Sequence, residues 1–495
     1  MPKQITLSKS RVMSGQQCLK LVHFKVHQGR LEKISAKTKA IFQEGHQVGD
    51  IAQDIYGKGE GTFIEYDPGL GKAIRDTVEL LSKGPDKPIY EATLEYEGVQ
   101  VRADVLLPSG QGWRMIEVKS SSSLKDEHKR DSAIQAWVFK SLGYQLESIS
   151  VAHVDTSFVY QGDEDYTGLL VEHDITDDVE ALLPFVPGWV DLAWGAVKAE
   201  MPEVPVGKHC ENPYPCGFYD QCWPSDAEYP VYGLGGSKKD LAAWVNEGLR
   251  DIREVPTEGL TPKRRRIHSA TVSGEPEVLP GGRKFVESLA YPRYHLDFET
   301  ISPVVPIWAG TRPRQVLSIQ YSCHIEEAPG LFDHKEFLDL SGEPPMRSLA
   351  ETMIKDLGTE GPILMYTGYE KIRIKEMSAM FPDLASQLEA VIERLVDLKP
   401  PTLKNFYHPL MLGSWSIKDV APVIPGCVDY NEMEGIKEGS GASMGFLEAI
   451  KPGIFAKEKK RLDKELRYYC WVDTKNMVEL VRFFEGNPPS GLKYE

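Results

Sequence analysis

Asp104, Glu117 and Lys119 are the first residues whose types and spacing could do chemistry. From Val99 to Val105 the chain alternates: Val99, Val101, Ala103 and Val105 point one way, and Gln100, Arg102 and Asp104 the other. Asp104 therefore projects from the polar face of a half-buried strand. The turn Pro108-Ser-Gly-Gln-Gly112 leads into a second strand. There Ile116 and Val118 face the core, and Glu117 and Lys119 share the opposite face. A hairpin of the two strands brings Asp104 beside Glu117 and Lys119. Two carboxylates there suit one or two Mg²⁺ or Mn²⁺ ions, hard cations that prefer oxygen ligands. Such an ion lowers the pKa of a bound water and neutralises charge on a phosphate. Lys119 could orient that water and stabilise the transition state. Read alone, the trio is more simply a surface Glu–Lys pair beside an unrelated aspartate.

Two neighbours shift that balance. The segment Ile41 to Tyr56 reads as a helix with an apolar stripe at Ile41, Val48, Ile51, Ala52 and Ile55. His46 lies off the stripe and suits a metal ligand, although a solvated or structural histidine fits as well; Gly45 and Gly49 beside it permit close approach of another segment. Downstream, Asp131 to Phe139 starts the helix after the Glu-x-Lys strand, with Gln135 on its polar side and Ile134, Val138 and Leu142 opposite.

Cysteines form the next pattern. Cys210, Cys216 and Cys222 are evenly spaced on one Pro- and aromatic-containing loop, and Cys18 lies on a helix expected over residues 8 to 25. In a reducing compartment such a group favours a metal site over disulfides. A [4Fe–4S] cluster and structural zinc both accept four thiolates. Zinc sites usually show paired Cys-x2-4-Cys knuckles, and this chain has none. Unligated buried cysteines are the third option, and the expected role of Cys323, Cys427 and Cys470.

A second acidic constellation lies further on. In Tyr294-His-Leu-Asp-Phe-Glu299, Asp297 and Glu299 share one face of a strand. Tyr469 and Asp473, four apart, share a helix face. Between them lie Thr367 and Glu370, with Asp397 as an additional acidic candidate. Phe406 to Val420 offers aromatics with Lys418 that could stack on bases or, more simply, fill a core.

These residues need elements to hold them. At 495 residues, two or three domains are expected. Residues 1–225 hold helices followed by alternating strands; 226–290, rich in Gly, Pro and charge, reads as a linker with one short helix near Lys239 to Arg250; a second αβ pattern fills 291–495. The fold class expected is α/β. A net charge of −16 argues against a generic nucleic-acid coating protein but not against a nuclease. Local basic patches at Lys263 to Arg266 and Lys457 to Arg467 could meet phosphate, or be solvated faces. No apolar run suits a membrane span, and Met1 to Thr6 shows no secretory signal, so a cytoplasmic location without membrane partners is expected. No P-loop or helicase motif is present.

The order His46, Asp104, Glu117-x-Lys119, Gln135 resembles the RecB-type branch of the PD-(D/E)XK nucleases. That resemblance implies a restriction-endonuclease-like core, metal binding by His46, Asp104 and Glu117, catalysis by Lys119 and substrate contact from Gln135. Phe139 stands where the branch usually has Tyr. The stretch Glu117 to His128 looks especially like predicted RecB-family nucleases with an uncharacterised C-terminal domain. One distant cysteine plus a C-terminal trio is similar to the iron–sulfur nucleases of CRISPR adaptation and of AddB-type subunits, although those commonly open the trio with a shorter gap. This implies a [4Fe–4S] cluster on Cys18, Cys210, Cys216 and Cys222.

The Asp-x-Glu strand and Tyr-x3-Asp helix resemble the DEDD 3′–5′ exonucleases, with a ribonuclease H-like fold. Asp297, Glu299 and Asp473 would then hold two metal ions and Tyr469 would position water. Thr367 and Glu370 depart from that family's Asn and Asp. Together the resemblances imply Mg²⁺- or Mn²⁺-dependent phosphodiester hydrolysis, of DNA. The alternative is a nucleic-acid-binding scaffold of a repair or phage-defence complex, with one or both sites inactive and a helicase or other partner.

Overall fold

The computed structural model describes residues 5–67 and 69–494; Met1–Gln4, on which most of the reading of the N-terminus rests, lie outside them. The chain has an α/β fold in two compact units. One comprises residues 1–223 and 303–315, the other 224–302 and 316–495.

In the first unit, β1 (Leu7–Ser8) runs into α1 (Lys9–Gln17) and α2 (Leu19–His27), and α3 (Ala36–Gly57), β2 (Thr62–Phe63) and α4 (Leu70–Ser82) follow. Next come the hairpin strands β3 (Ile89–Tyr96), β4 (Val99–Ser109) and β5 (Gly112–Lys119), then α5 (Asp126–Ser141), β6 (Leu146–Val154), β7 (Leu170–Asp174), α6 (Thr176–Leu182) and α7 (Val186–Lys198). The strands form a sheet ordered β2-β3-β4-β5-β6-β7, with β1 paired to the start of β4. The β3–β4–β5 meander is antiparallel, and β6 returns parallel to β5 after the crossover α5, as parallel pairing requires. Val105 lies opposite Ile116, and Leu106 opposite Met115. This register puts Asp104 next to Glu117, as the alternation predicts.

Three local expectations change. The helix expected over residues 8 to 25 is two helices, because Cys18 between them is extended (φ −165°, ψ 123°). On α3, Val48 and Ala52 are buried and Ile51 and Ile55 pack into the cluster of Val48, but Ile41 is exposed. A Cβ added at Gly45 or Gly49 would meet nothing within 4 Å, so those glycines mediate no close approach among the described residues. The segment 303–315 completes this unit. Val304 and Val305 pack with Val48, Val154 and Leu169. Arg314 donates to Glu44 (2.9 Å) on α3 and to the Ser120 carbonyl (3.1 Å) just after β5.

The second unit begins with α8 (Lys238–Asn246), α9 (Pro262–Ser273), β8 (Glu277–Val278) and α10 (Pro280–Glu287). Residues 226–290 are therefore no linker: they are packed into this unit, with Ile252, Ile267 and Val286 fully buried and β8 paired to β14 (Phe406–Tyr407). Its main sheet uses β9 (Arg293–Ile301), β10 (Leu317–Ala328), β11 (Leu331–Leu338), β12 (Ile363–Met365) and β13 (Leu395–Asp397), ordered β11-β10-β9-β12-β13. The first three form an antiparallel meander; β12 and β13 run parallel to β9. The helices are α11 (Met346–Leu357), α12 (Tyr369–Met380), α13 (Ala385–Glu393), α14 (Lys399–Asn405), α15 (Ile417–Val420), α16 (Gly439–Ala449) and α17 (Ala456–Glu485). The last is long and buried from Tyr469 to Val481. Phe406, Tyr407 and Trp415 are core residues, not a stacking surface.

Arg293 is 3% exposed at the start of β9. It bonds Glu485 at 2.5 Å, lies 3.7 Å from Glu326 and donates to the Val286 and Leu289 carbonyls. Removing one partner of a buried ion pair strands the other's charge. Arg293→Ala should therefore cost the second unit about 3–5 kcal/mol, read as a lower urea midpoint of its unfolding transition.

Candidate active sites

In the first unit, β4 and β5 bring Asp104, Glu117 and Lys119 together, and α5 lays Gln135 over them. Asp104 Oδ2 accepts from the Val118 amide (2.7 Å), which locks the hairpin at the site. Lys119 Nζ donates to Glu117 Oε1 (2.5 Å) and Asp131 Oδ2 (2.6 Å). Gln135 Nε2 donates to Glu117 Oε2 (2.5 Å). Gln135 is fully buried, not on a polar helix face, and its contact is with Glu117. His46 is exposed on α3, and no hydrogen bond or ion pair ties it to Asp104, Glu117 or Lys119 among the described residues.

Three further residues join the site. Lys9, the first residue of α1, places Nζ 2.8 Å from Glu117 Oε1 and 3.2 Å from Asp131 Oδ2. Asp131 lies one turn before Gln135 on α5, an i, i+4 pair that could have flagged it. Glu91 on β3 has φ +59°, uncommon for a residue with a side chain, and bonds Arg102 at 2.5 Å. Nothing in the sequence ties Lys9 or Glu91 to residues so distant along the chain.

Burial sets the electrostatics. It drives Asp104 up to about 8, assisted by the Glu117 charge and opposed by Lys9 and Lys119. Burial would raise Glu117 too, but Lys119 and Lys9 hold it well below the usual carboxylate range. Burial works against the Lys119 ammonium, yet Asp131 and Glu117 raise it well above its ordinary value.

The cysteines converge in the same unit. Cys18, Cys210, Cys216 and Cys222 are all free thiols around one small cavity lined also by Leu21, Phe24, Phe218 and Trp223. Burial raises the Cys18 and Cys222 thiols and pushes Cys216 up to about 11; in each case the neighbouring cysteines add to the shift. Four converging thiols in an apolar pocket fit a thiolate-bound metal centre. Among the described residues, the one trio of potential ligands within 4.8 Å of one another is Asp297, Glu299 and Cys470. Gln17 Nε2, at the end of α1, bonds the His209 and Tyr214 carbonyls at 2.7 Å each and ties the cysteine loop to that helix.

In the second unit, Asp297 and Glu299 on β9 meet Glu370 from the first turn of α12 and Asp473 from α17. Tyr430 donates to Asp473 Oδ1 (2.5 Å). Tyr469, one turn before Asp473, also stabilises that carboxylate. Burial, then the neighbouring acids, raises Asp297 and Glu299 well above the carboxylate range. It takes Glu370 to about 8 and Asp473 to about 6, with Tyr430 and Lys418 holding the latter down. Glu370 is buried, and its Oε2 has no hydrogen-bond partner. Such a concentration of buried carboxylates fits a divalent cation.

Asp397 serves the backbone instead: it accepts from the Thr367 and Lys399 amides (3.0 and 2.8 Å) and holds the loop before α12. Thr367 sits there at φ +98°, a strained position for a β-branched residue. Cys470, expected as simple core, is buried beside the acids, its Sγ 4.0 Å from Asp297 Oδ2. Lys418, on the short α15, and Tyr430, on a single helical turn, reach the site from segments that the spacing of the acids does not flag.

Several members of the basic patches are engaged within the fold, while Lys457, Lys460 and Lys464 stay exposed. Arg264 pairs with Asp240, Arg266 with Glu277, and Lys263 lies over the Trp415 ring. Arg461 pairs with Glu458 and Glu465, and Arg467 with Glu336 and Asp463. Among the described residues, no helix is long and apolar enough to cross a membrane.

The second site fixes a pH dependence. A group whose folded pKa is raised contributes stability that is complete below its unfolded pKa, about 4 for a carboxylate. That contribution is lost as pH climbs through the folded value, here about 6 for Asp473 and about 8 for Glu370. The melting midpoint of the ion-free protein should therefore fall from about pH 5 to about pH 8. Asp297→Asn with Glu370→Gln should flatten that fall; an unchanged slope in circular dichroism melts would refute the assignment.

A family model described as a domain of unknown function (DUF2779) matches residues 294–416, the stretch that carries Asp297, Glu299 and Glu370. No curated protein matches the chain. Among solved structures, the crystal structure of SSO0001 is 15% identical, with 45% of this chain and 88% of that one covered and a TM-score of 0.24, too loose a superposition to assign a fold.

Proposed function

We propose that this chain is a metal-dependent nuclease acting on DNA. Its first unit is a RecB-type PD-(D/E)XK nuclease closed by a four-cysteine iron–sulfur cluster; its second is a DEDD-exonuclease-like unit of ribonuclease H-like fold. The observation that carries the reading is the convergence of Asp104, Glu117 and Lys119, with Gln135 on Glu117, at the junction of β4 and β5. Support for the second unit comes from its strand order and from four carboxylates gathered off β9, α12 and α17.

Asp104 and Glu117 would hold Mg²⁺ or Mn²⁺ in the first site, with His46 at its edge; Asp297, Glu299, Glu370 and Asp473 would do so in the second. A bound ion supplies Lewis acidity and an activated water. Gln135 fixes the rotamer of Glu117, and Lys119 presents its ammonium where negative charge develops. In the second site, Tyr469 keeps its proton, because burial and Asp473 raise it, and donates a hydrogen bond. Substrate contact is supported by Arg102, which lies over Phe63 and Tyr66 (5.8 and 5.7 Å); those rings remain 42% and 46% exposed on the unit carrying the first site. Exposed aromatics with an arginine suit stacking on bases. Cys18, Cys210, Cys216 and Cys222, which line one small cavity, would hold the cluster as a structural clasp.

A second reading, a nucleic-acid-binding scaffold in a repair or defence complex, draws on Thr367 and Glu370, which depart from the exonuclease pattern. Lys119→Ala and Asp297→Ala, each tested on single- and double-stranded DNA and on RNA with Mg²⁺ or Mn²⁺, separate the two. Each change should cut the activity of its own site by about a hundredfold or more. Activity untouched by both defeats the site assignments. Cys216→Ala should lose bound iron and solubility, measured by iron content and sedimentation; full stability without iron counts against the cluster.

A further inference from the structure

Lys9 has no part in the chemistry proposed so far for the first site. It is the first residue of α1, where the positive end of the helix dipole disfavours a cation. Its ammonium is also largely buried, at 19% side-chain exposure. A lysine is seldom buried without a charged partner, and Lys9 has two: Glu117 Oε1 at 2.8 Å and Asp131 Oδ2 at 3.2 Å. These are the same two oxygens that Lys119 binds.

One catalytic lysine does not need a twin merely to hold a carboxylate that Gln135 and Lys119 already orient. The charges around the site give the second ammonium a use. Two ammonium groups and a divalent ion, set against Asp104, Glu117 and Asp131, leave one positive charge in excess. A phosphodiester carries one negative charge. The nearby Glu91 and Arg102 neutralise each other.

Resting on the nuclease reading of the first unit, we infer that Lys9 is a second active-site lysine, whose ammonium contacts the scissile phosphate beside the carboxylates that would hold a metal ion. Its position depends on α1, which runs from Lys9 to Gln17 and is followed by Cys18. The cysteine loop bonded to Gln17 thus fixes the far end of the helix that delivers Lys9.

The test uses the full chain carrying Asp297→Asn, so that the second site is silent, with a labelled oligodeoxynucleotide and Mn²⁺. Lys9→Met keeps the side-chain stem and removes the charge; Lys9→Gln serves if that variant fails to fold. Turnover should fall at least about tenfold, because a charge facing the transition state is lost. Lys9→Arg should keep about a third or more of the parent rate. Iron content should match the parent, while the melting midpoint falls, because Glu117 and Asp131 lose one of their two cations.

Calorimetry with Mn²⁺ alone supplies a readout apart from cleavage. Removing a cation about 3 Å from a ligand oxygen should tighten Mn²⁺ binding about threefold or more. Turnover within twofold of the parent, while Lys119→Ala is dead in the same background, overturns the role of Lys9. So does an arginine variant as slow as the methionine variant, or an unchanged Mn²⁺ affinity. A parent that cleaves nothing defeats the nuclease reading instead, and Mn²⁺ affinity then decides Lys9 by itself.

Discussion

Removing a carboxylate from water costs more than packing can return, unless an opposite charge or a proton accompanies it. Each unit of this chain gathers several carboxylates in its interior, and each meets that constraint differently. In the first, two lysines on separate elements share Glu117 and Asp131; burial raises Asp104, Asp131 and Glu91, while the lysines hold Glu117 down. In the second, Lys418 is the cation that acts on the cluster, and Asp297, Glu299 and Glu370 are pushed up together. The first site is electrically self-sufficient without an ion. The second holds its acids apart from water at the expense of their ionisation.

That difference bears on how each fold is stabilised. Around the first site the charged network links α1, β5 and α5, so it contributes to cohesion as well as to chemistry. The second site is framed by apolar and backbone contacts instead: α17 lies against β9 and β10, and Asp397 braces the loop before α12 through two amides. Its acids add little to that frame. They are tolerated by it.

Much of the local chemistry was legible because strands and helices have fixed periods. Alternation placed Asp104 and Glu117 on one side of a hairpin, and the i, i+4 spacing placed Tyr469 with Asp473. What escaped depended on long-range folding. Lys9 precedes Glu117 by most of the N-terminal region and has no partner nearby in sequence. The extended break at Cys18 carries no Gly or Pro to announce it. Residues 226–290 looked like a linker because Gly, Pro and charge are abundant, yet their sparse apolar residues, such as Ile252 and Ile267, are the ones buried. Gln135 follows Asp131 and Ser132 by one helical turn and so reads as part of a polar side, while the structure buries that whole stretch of α5. Periodicity identifies faces; it does not reveal when both faces are covered.

The segment 303–315 has a consequence for synthesis. The first unit lacks Val304, Val305 and the Arg314 contacts to α3 and β5 until the ribosome has passed residue 315. By then β9, with Asp297 and Glu299, has already emerged. The first unit therefore cannot complete its packing as an independent N-terminal folding step, in the manner usual for tandem domains. A fragment ending at Trp223 would leave uncovered the flank of α3 that carries Glu44 and Val48. Nascent chains must hold the first unit open while part of the second is made, so maturation of the two is coupled through the order of translation.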